Sequence, residues 1–245
     1  MASGKSLKQK IKDGDVVVAL RPPITISKSD FDKALTKGSY DLVYIDGQHT
    51  AFSDDQLNAI CAIAEQAGLP VQFRIPHTRH TYLIGRYLDM GLSGVLVPEV
   101  EDPAVAEEAV AYAYYAPVGK RSWGGAARYG QVQDGKRLSQ PEYVDYWNNH
   151  VIVSVQIESI KAVENAKSLA VPGLDYLAWG PNDLGLDLKR HPEYKLKTSD
   201  ECTRYVRDML KGTGIRMGMA ILTEPEEREK YLEMGMTMFQ EAPRK

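Results

Sequence analysis

At 245 residues, 43% of them hydrophobic and 26% charged, the chain has the make-up of one globular domain the size of an eight-fold barrel. A net charge of −3 with no basic stripe excludes nucleic acid as an expected partner. No apolar run approaches the ~18 residues a membrane helix needs, and the first twelve residues are too polar for a signal peptide, so the expected setting is the cytoplasm, away from membranes. Cys61 and Cys202 fall inside helical patterns and read as small packing groups rather than a bridge.

Along the chain, short apolar runs alternate with amphipathic stretches. Strands are expected at Val16–Leu20, Leu42–Ile45, Val71–Phe73, Gly94–Val97, Val151–Gln156, Tyr176–Trp179, Met217–Ile221 and Thr237–Phe239. Helical periodicity marks Asp54–Ala67, Tyr82–Met90, Pro103–Tyr115, Ile160–Leu169, Ser199–Leu210 and Pro225–Met234. Eight strands alternating with helices read as a single (β/α)8 TIM barrel spanning 1–245; a doubly wound sheet would usually use fewer strands. Two segments depart from a minimal repeat. Ala116–His150, between the fourth and fifth strands, is long and rich in Gly, Arg and aromatics, and is expected to shape the active-site mouth, with Trp123 and Leu222 setting specificity there. After the eighth strand too few residues remain for an eighth helix, which is expected to be missing or truncated. A neighbouring subunit or an N-terminal helix would then cover the gap.

Strand parity sorts polar from apolar residues. Ser154, Gln156 and Glu158 share one face, opposite Val153, Val155 and Ile157; Gln72 and Arg74 lie together, as do Tyr44 and Asp46. These polar residues can line the barrel while the aliphatic ones meet the helices. Three strands therefore deliver Asp46, Arg74 and Glu158 toward one end. His49, with Asp46 three residues upstream, is a candidate general base. Arg74 suits a carboxylate or a developing oxyanion, a salt bridge to Asp46 or Glu158 being equally compatible. Glu158 closes an inner strand where an unpaired carboxylate would be costly, so a cation is its natural partner. In Gly180-Pro181-Asn182-Asp183, the glycine permits close approach of a ligand, and Asp183 either caps the next helix or binds metal.

The runs Asp46-Gly47-Gln48-His49, Arg74-Ile75-Pro76, Leu96-Val97-Pro98, Gln156-Ile157-Glu158 and Gly180-Pro181-Asn182-Asp183-Leu184 occur in the order and spacing of the HpcH/HpaI aldolases, which the chain resembles from about Leu7 to Phe239. That resemblance implies a class II, divalent-metal-dependent lyase (Mg²⁺, Mn²⁺ or Co²⁺) that reversibly cleaves a 4-hydroxy-2-oxo acid to pyruvate, or an analogue, and an aldehyde. It implies that Glu158 and Asp183 hold the metal, that Arg74 contacts the 2-oxo acid, that His49 and Asp46 form an acid/base dyad, and that Gln156 and the backbone of Gly180, Pro181 and Asn182 bind substrate. A homo-hexamer is the family's common assembly.

The chain departs from the pattern at Gln48, where the family usually has glutamate, which removes a negative charge beside the site. His77, Arg79 and His80, together with Arg121 and Arg128, are expected either to form a positive rim or to lie in a solvated loop. The same site could also serve decarboxylation or another C–C reaction, or bind an oxo acid without turnover.

Overall fold

A computed structural model describes residues 4–124 and 129–244. Eight parallel strands close into a barrel in chain order: β1 (Val17–Leu20), β2 (Leu42–Asp46), β3 (Val71–Arg74), β4 (Gly94–Val97), β5 (Ile152–Ile157), β6 (Tyr176–Trp179), β7 (Arg216–Leu222) and β8 (Met236–Glu241), the last pairing with β1. The eight expected strands are all present, most of them a residue or two displaced at one end. Outward residues such as Val43, Ile45, Phe73, Val95, Val153, Val155 and Leu177 join helix side chains in the main core. This burial on both faces is what a parallel sheet demands.

Inside the barrel the side chains form layers. Ile11, Val17, Leu42 and Ile152 fill the base. Above them Gln72 Nε2 donates to Ser154 Oγ (3.0 Å), and Tyr176 Oη donates to Gln72 Oε1 (2.8 Å). Ser154 Oγ in turn donates to the Val95 carbonyl (3.0 Å), so these polar groups satisfy one another. The uppermost layer holds Asp46, Arg74, Gln156, Glu158 and Gln240, all buried.

Helices Asp54–Gln66, Pro103–Ala113, Ile160–Leu169 and Ser199–Met209 match the periodicity, and serine or threonine caps prescribe several starts: Ser53 and Thr198 each close a capping box. The stretches at Tyr82–Met90 and Pro225–Met234 are broken instead. Each opens in a 3₁₀ turn, Thr78–Leu83 and Pro225–Glu227, before helices Ile84–Leu88 and Arg228–Glu233. Helices Lys28–Thr36, Gln140–His150 and Pro181–Arg190 lie outside the stretches marked by periodicity.

The long insert does not shape the mouth. It follows helix Pro103–Ala113, so it belongs to the return from helix to strand, at the opposite end of the barrel from the strand C-termini. There Trp147 Nε1 donates to the Ala113 carbonyl (2.8 Å), Asn148 bridges Tyr115, and Trp123 packs edge-on against Tyr143, with ring centroids 5.8 Å apart. Arg121 pairs with Asp89 (2.6 Å) in the same shell, far from the proposed rim, and Arg128 lies outside the described residues. Leu222 does end a barrel strand, 44% exposed.

No helix follows β8 among the described residues. The outer face of β8 is covered by side chains: Arg228 lies over the Phe239 ring, and Arg228 and Arg244 pair with Glu241. The N-terminal helix, Leu7–Asp13, does not cover that flank but seals the base of the barrel. Its Lys8 reaches Asp175 (2.7 Å), the Tyr114 hydroxyl (2.7 Å) and the Val151 carbonyl (2.8 Å), and Lys10 reaches Asp41 (2.7 Å). Cys61 and Cys202 are both buried and form no disulfide, and no helix among the described residues is long and apolar enough to cross a membrane.

Lys8→Ala should lower stability by about 2–3 kcal/mol, because Asp175 is left buried without its counter-charge. Burial already pushes the Asp175 carboxyl above its ordinary value, with Lys8 opposing. Without Lys8 the folded state holds that proton to higher pH than the unfolded chain does, so the deficit should shrink as pH falls. Urea midpoints measured between pH 5 and 8 check both points.

Candidate active site

The C-terminal ends of the strands carry a continuous polar chain across the mouth. Register sets Asp46 beside Arg74 on neighbouring strands. Arg74 Nε donates to Asp46 Oδ1 (2.8 Å) and its Nη2 to Oδ2, a two-pronged pair, while Nη1 donates to Gln156 Oε1 (3.1 Å). Gln156 Nε2 then donates to Glu158 Oε2 (2.5 Å). On the other side Arg21, one residue past β1, donates to Asp46 Oδ2 (2.6 Å) and to Gln240 Oε1 (3.3 Å). Arg21 and Gln240 escaped the sequence reading, although inward parity with Val17, Ala19 and Met238 marked both.

Burial by itself would raise the Asp46 carboxyl, but the Arg74 hydrogen bonds and the Arg74 and Arg21 charges together hold it below its ordinary value. Its four hydrogen bonds go to Arg74, Arg21 and the Gln48 amide (3.0 Å), and none goes to His49. The expected Asp46–His49 pair is therefore not formed in this structure. His49 stands exposed at the rim, whereas Asp46 is 5% exposed and committed to the arginines. Gly47 allows this tight turn: a Cβ there would lie 2.3 Å from the Phe73 ring and 2.8 Å from the Arg74 carbonyl oxygen, which accepts the Gly47 amide.

Glu158 sits in the opposite electrostatic position. Its Oε1 accepts the Glu99 amide (2.7 Å), yet it has no direct guanidinium partner. Burial pushes its carboxyl up to about 7; the Glu99 amide opposes this, the Asp183 charge adds to it and Arg74 counters. Gly180 makes room for it, since a Cβ at 180 would lie 2.7 Å from Glu158 Cβ and 2.8 Å from its Oε2. Gly180 also begins helix Pro181–Arg190, with Pro181 at a position whose missing N–H costs nothing. Asn182 and Asp183 occupy the exposed first turn, where the dipole and free amides favour an anion.

Among the described residues no three His, Cys, Asp or Glu side chains cluster as a ready ligand set. Two carboxylates, one of them destabilised as a bare anion, remain a hard-oxygen pair suited to a divalent cation that completes its shell with solvent and substrate oxygens. Sequence reasoning also missed Glu99, whose backbone is left-handed at φ 54° and whose side chain meets Gln48 (2.9 Å) and His77 (3.4 Å). Nothing in a glutamate codon position announces that conformation. His77 and Arg79 are exposed in the segment after β3, His80 is half-buried there, and Arg121 lies elsewhere.

The family model of HpcH/HpaI aldolase/citrate lyase matches residues 27–242. A 2-keto-3-deoxy-L-rhamnonate aldolase of Klebsiella pneumoniae is 32% identical over 213 residues, 82% of this chain and 73% of that protein. A 4-hydroxy-2-oxo-heptane-1,7-dioate aldolase of Shigella sonnei is 30% identical, covering 94% of this chain and 85% of its own. Among solved structures, an HpcH/HpaI aldolase from Desulfitobacterium hafniense superposes with a TM-score of 0.80 at 28% identity, covering 98% of this chain and 91% of that one.

Glu158 gives a pH signature to the metal-free protein. Its folded-state value lies above the unfolded one, so the folded chain holds a proton that the unfolded chain releases, and stability falls as pH rises from about 4.5 to about 7. In EDTA, Glu158→Gln should therefore gain on the wild type by about 2–3 kcal/mol between pH 5 and pH 8. Parallel denaturant titrations measure it; a pH-independent difference would contradict the assignment.

Proposed function

The chain belongs to the HpcH/HpaI aldolase/citrate lyase family, and from that premise we propose that its mouth carries out reversible aldol cleavage of a 4-hydroxy-2-oxo acid to pyruvate, or a close analogue, and an aldehyde. The chain is a carbon–carbon lyase of the aldolase kind. The observation that supports the specific reaction is the buried Glu158 carboxyl, raised to about 7, between the Arg74–Gln156 chain and the Asp183 helix start.

Glu158 and Asp183 would hold a divalent cation (Mg²⁺, Mn²⁺ or Co²⁺), which relieves the cost of the buried anion. When bound, such an ion acts as a Lewis acid toward the 2-oxo group. The free amides at the first turn of helix Pro181–Arg190, with Gly180, Pro181 and Asn182 lining it, receive the substrate carboxylate. Arg74, held rigid by Asp46 and Gln156, presents fixed positive charge where the 2-oxo oxygen becomes negative, so no reorganisation is needed as charge develops. His49 takes the C4 hydroxyl proton as the C3–C4 bond breaks. The bond's electron pair moves onto the C3–C2–O unit, the aldehyde leaves, and a proton taken up from solvent at C3 completes pyruvate. In condensation the proton returns from His49 to the new hydroxyl. Asp46 acts on this step at a distance, by fixing Arg74 and, through its hydrogen bond to the Gln48 amide, the loop that carries His49. In solution the reading implies a cytoplasmic homo-oligomer, six copies by resemblance, without nucleic-acid or membrane partners.

Deuterium exchange of the pyruvate methyl group in D₂O, followed by NMR with and without EDTA, tests the reading without knowledge of the aldehyde. Exchange stopped by EDTA and restored by Mg²⁺ or Mn²⁺ is expected, and Glu158→Ala should abolish it. His49→Ala should keep metal binding yet lower cleavage kcat by about 10²–10⁴-fold. Full activity in both variants would remove the site assignment.

A further inference from the structure

The side chains of one wall of the mouth have no role in the chemistry above. Gln48 follows β2, His77 follows β3 and Glu99 follows β4, so three adjacent strand ends bring them together. Gln48 Nε2 donates to Glu99 Oε1 (2.9 Å), and His77 Nε2 lies 3.4 Å from Glu99 Oε2. His77 Nδ1 accepts the Arg79 amide (3.0 Å), which leaves its Nε2–H to face Glu99. Glu99 holds a left-handed backbone at φ 54°, a conformation that disfavours a side chain by about 1–2 kcal/mol. That turn points its amide at Glu158 and sets its carboxylate between Gln48 and His77. The Gln48 Oε1 atom is buried without a donor.

We propose that Glu99, with Gln48 and His77, is the aldehyde-side specificity element, and that it selects an aldehyde bearing neutral hydroxyl groups over one bearing its own carboxylate. This rests on the aldolase reading. A hydroxyl both donates and accepts, so it can give its proton to Glu99 while receiving one from the Gln48 amide or the His77 imidazole. A carboxylate offers only acceptors and would meet the Glu99 charge directly. Arg21 and Arg74 lie deeper in the mouth, directed at Asp46, Gln240 and Gln156. Arg79 is the exposed cation on the same loop, and it would be the reader if the wall accepted acids instead.

The test compares kcat/KM for condensation of pyruvate with glyceraldehyde and with succinic semialdehyde. The wild type should favour glyceraldehyde by about tenfold or more. Glu99→Gln, which preserves size and backbone demand, should shift the ratio toward the acid by a similar factor, mainly through KM. Arg79→Ala should leave the ratio unchanged. An identical ratio in wild type and Glu99→Gln would overturn the proposal, as would a wild-type preference for succinic semialdehyde that Arg79→Ala removes. Both aldehydes meet the same nucleophile, so the ratio does not depend on how fast pyruvate is activated. A wild type that exchanges no pyruvate deuterium with any metal would instead overturn the underlying aldolase reading.

Discussion

The mouth of this barrel is organised around one carboxylate shared by two guanidiniums. Asp46 lies between Arg74 and Arg21, and the three groups span the ends of β1, β2 and β3. Two cations in a barrel interior would be prohibitively costly without it, and one carboxylate between them leaves the cluster with an uncompensated positive charge. That surplus is passed on through amides. Gln156 on one flank and Gln240 on the other turn their carbonyl oxygens to the arginines, and Gln156 then offers its N–H to Glu158. Each side chain in the chain is oriented by the one before it, so the direction of Glu158 is fixed four groups away, at Arg21.

Asp46 and Glu158 show how one fold gives two carboxylates opposite characters. Both are buried at the C-terminal ends of barrel strands, Asp46 as the last residue of β2 and Glu158 one residue past β5. Asp46, clasped by guanidiniums, stays ionised, whereas Glu158 receives only an amide N–H from each side and is held near neutrality. The separation of roles is set by which strand supplies an arginine and which supplies a glutamine. Glycine at 180 completes the arrangement, because the backbone must pass against the carboxylate itself.

Parity along the strands made much of this legible. Tyr44 with Asp46, Gln72 with Arg74 and Ser154 with Gln156 and Glu158 all turned inward as alternation required, and the barrel followed from the eightfold repeat. The same rule applied to β1 and β8 would have revealed Arg21 and Gln240; β8 was read two residues short of its C-terminal end, and Arg21 lies one residue past the end of β1. The insert at 116–150 was misplaced for a different reason. Its composition resembled that of functional loops, but its place in the chain, after the helix rather than after the strand, puts it at the barrel base. Position in the repeat decides the end, and composition does not. Glu99 was illegible because a left-handed glutamate is a tertiary outcome, fixed by its amide's bond to Glu158.

The hydrogen-bonded layer of Gln72, Ser154 and Tyr176 satisfies its own donors and acceptors halfway down the barrel, beneath the polar chain at the mouth. It works as a bulkhead. Changes in charge or volume at the rim need not propagate to the sealed base, where Lys8 and Ile11 hold the N-terminal helix in place. The molecule is thereby modular along its axis. Its reactive end can drift through substitutions at the loop positions while the foundation that keeps the chain folded stays the same, and a library confined to residues above that layer explores new substrates from an intact scaffold.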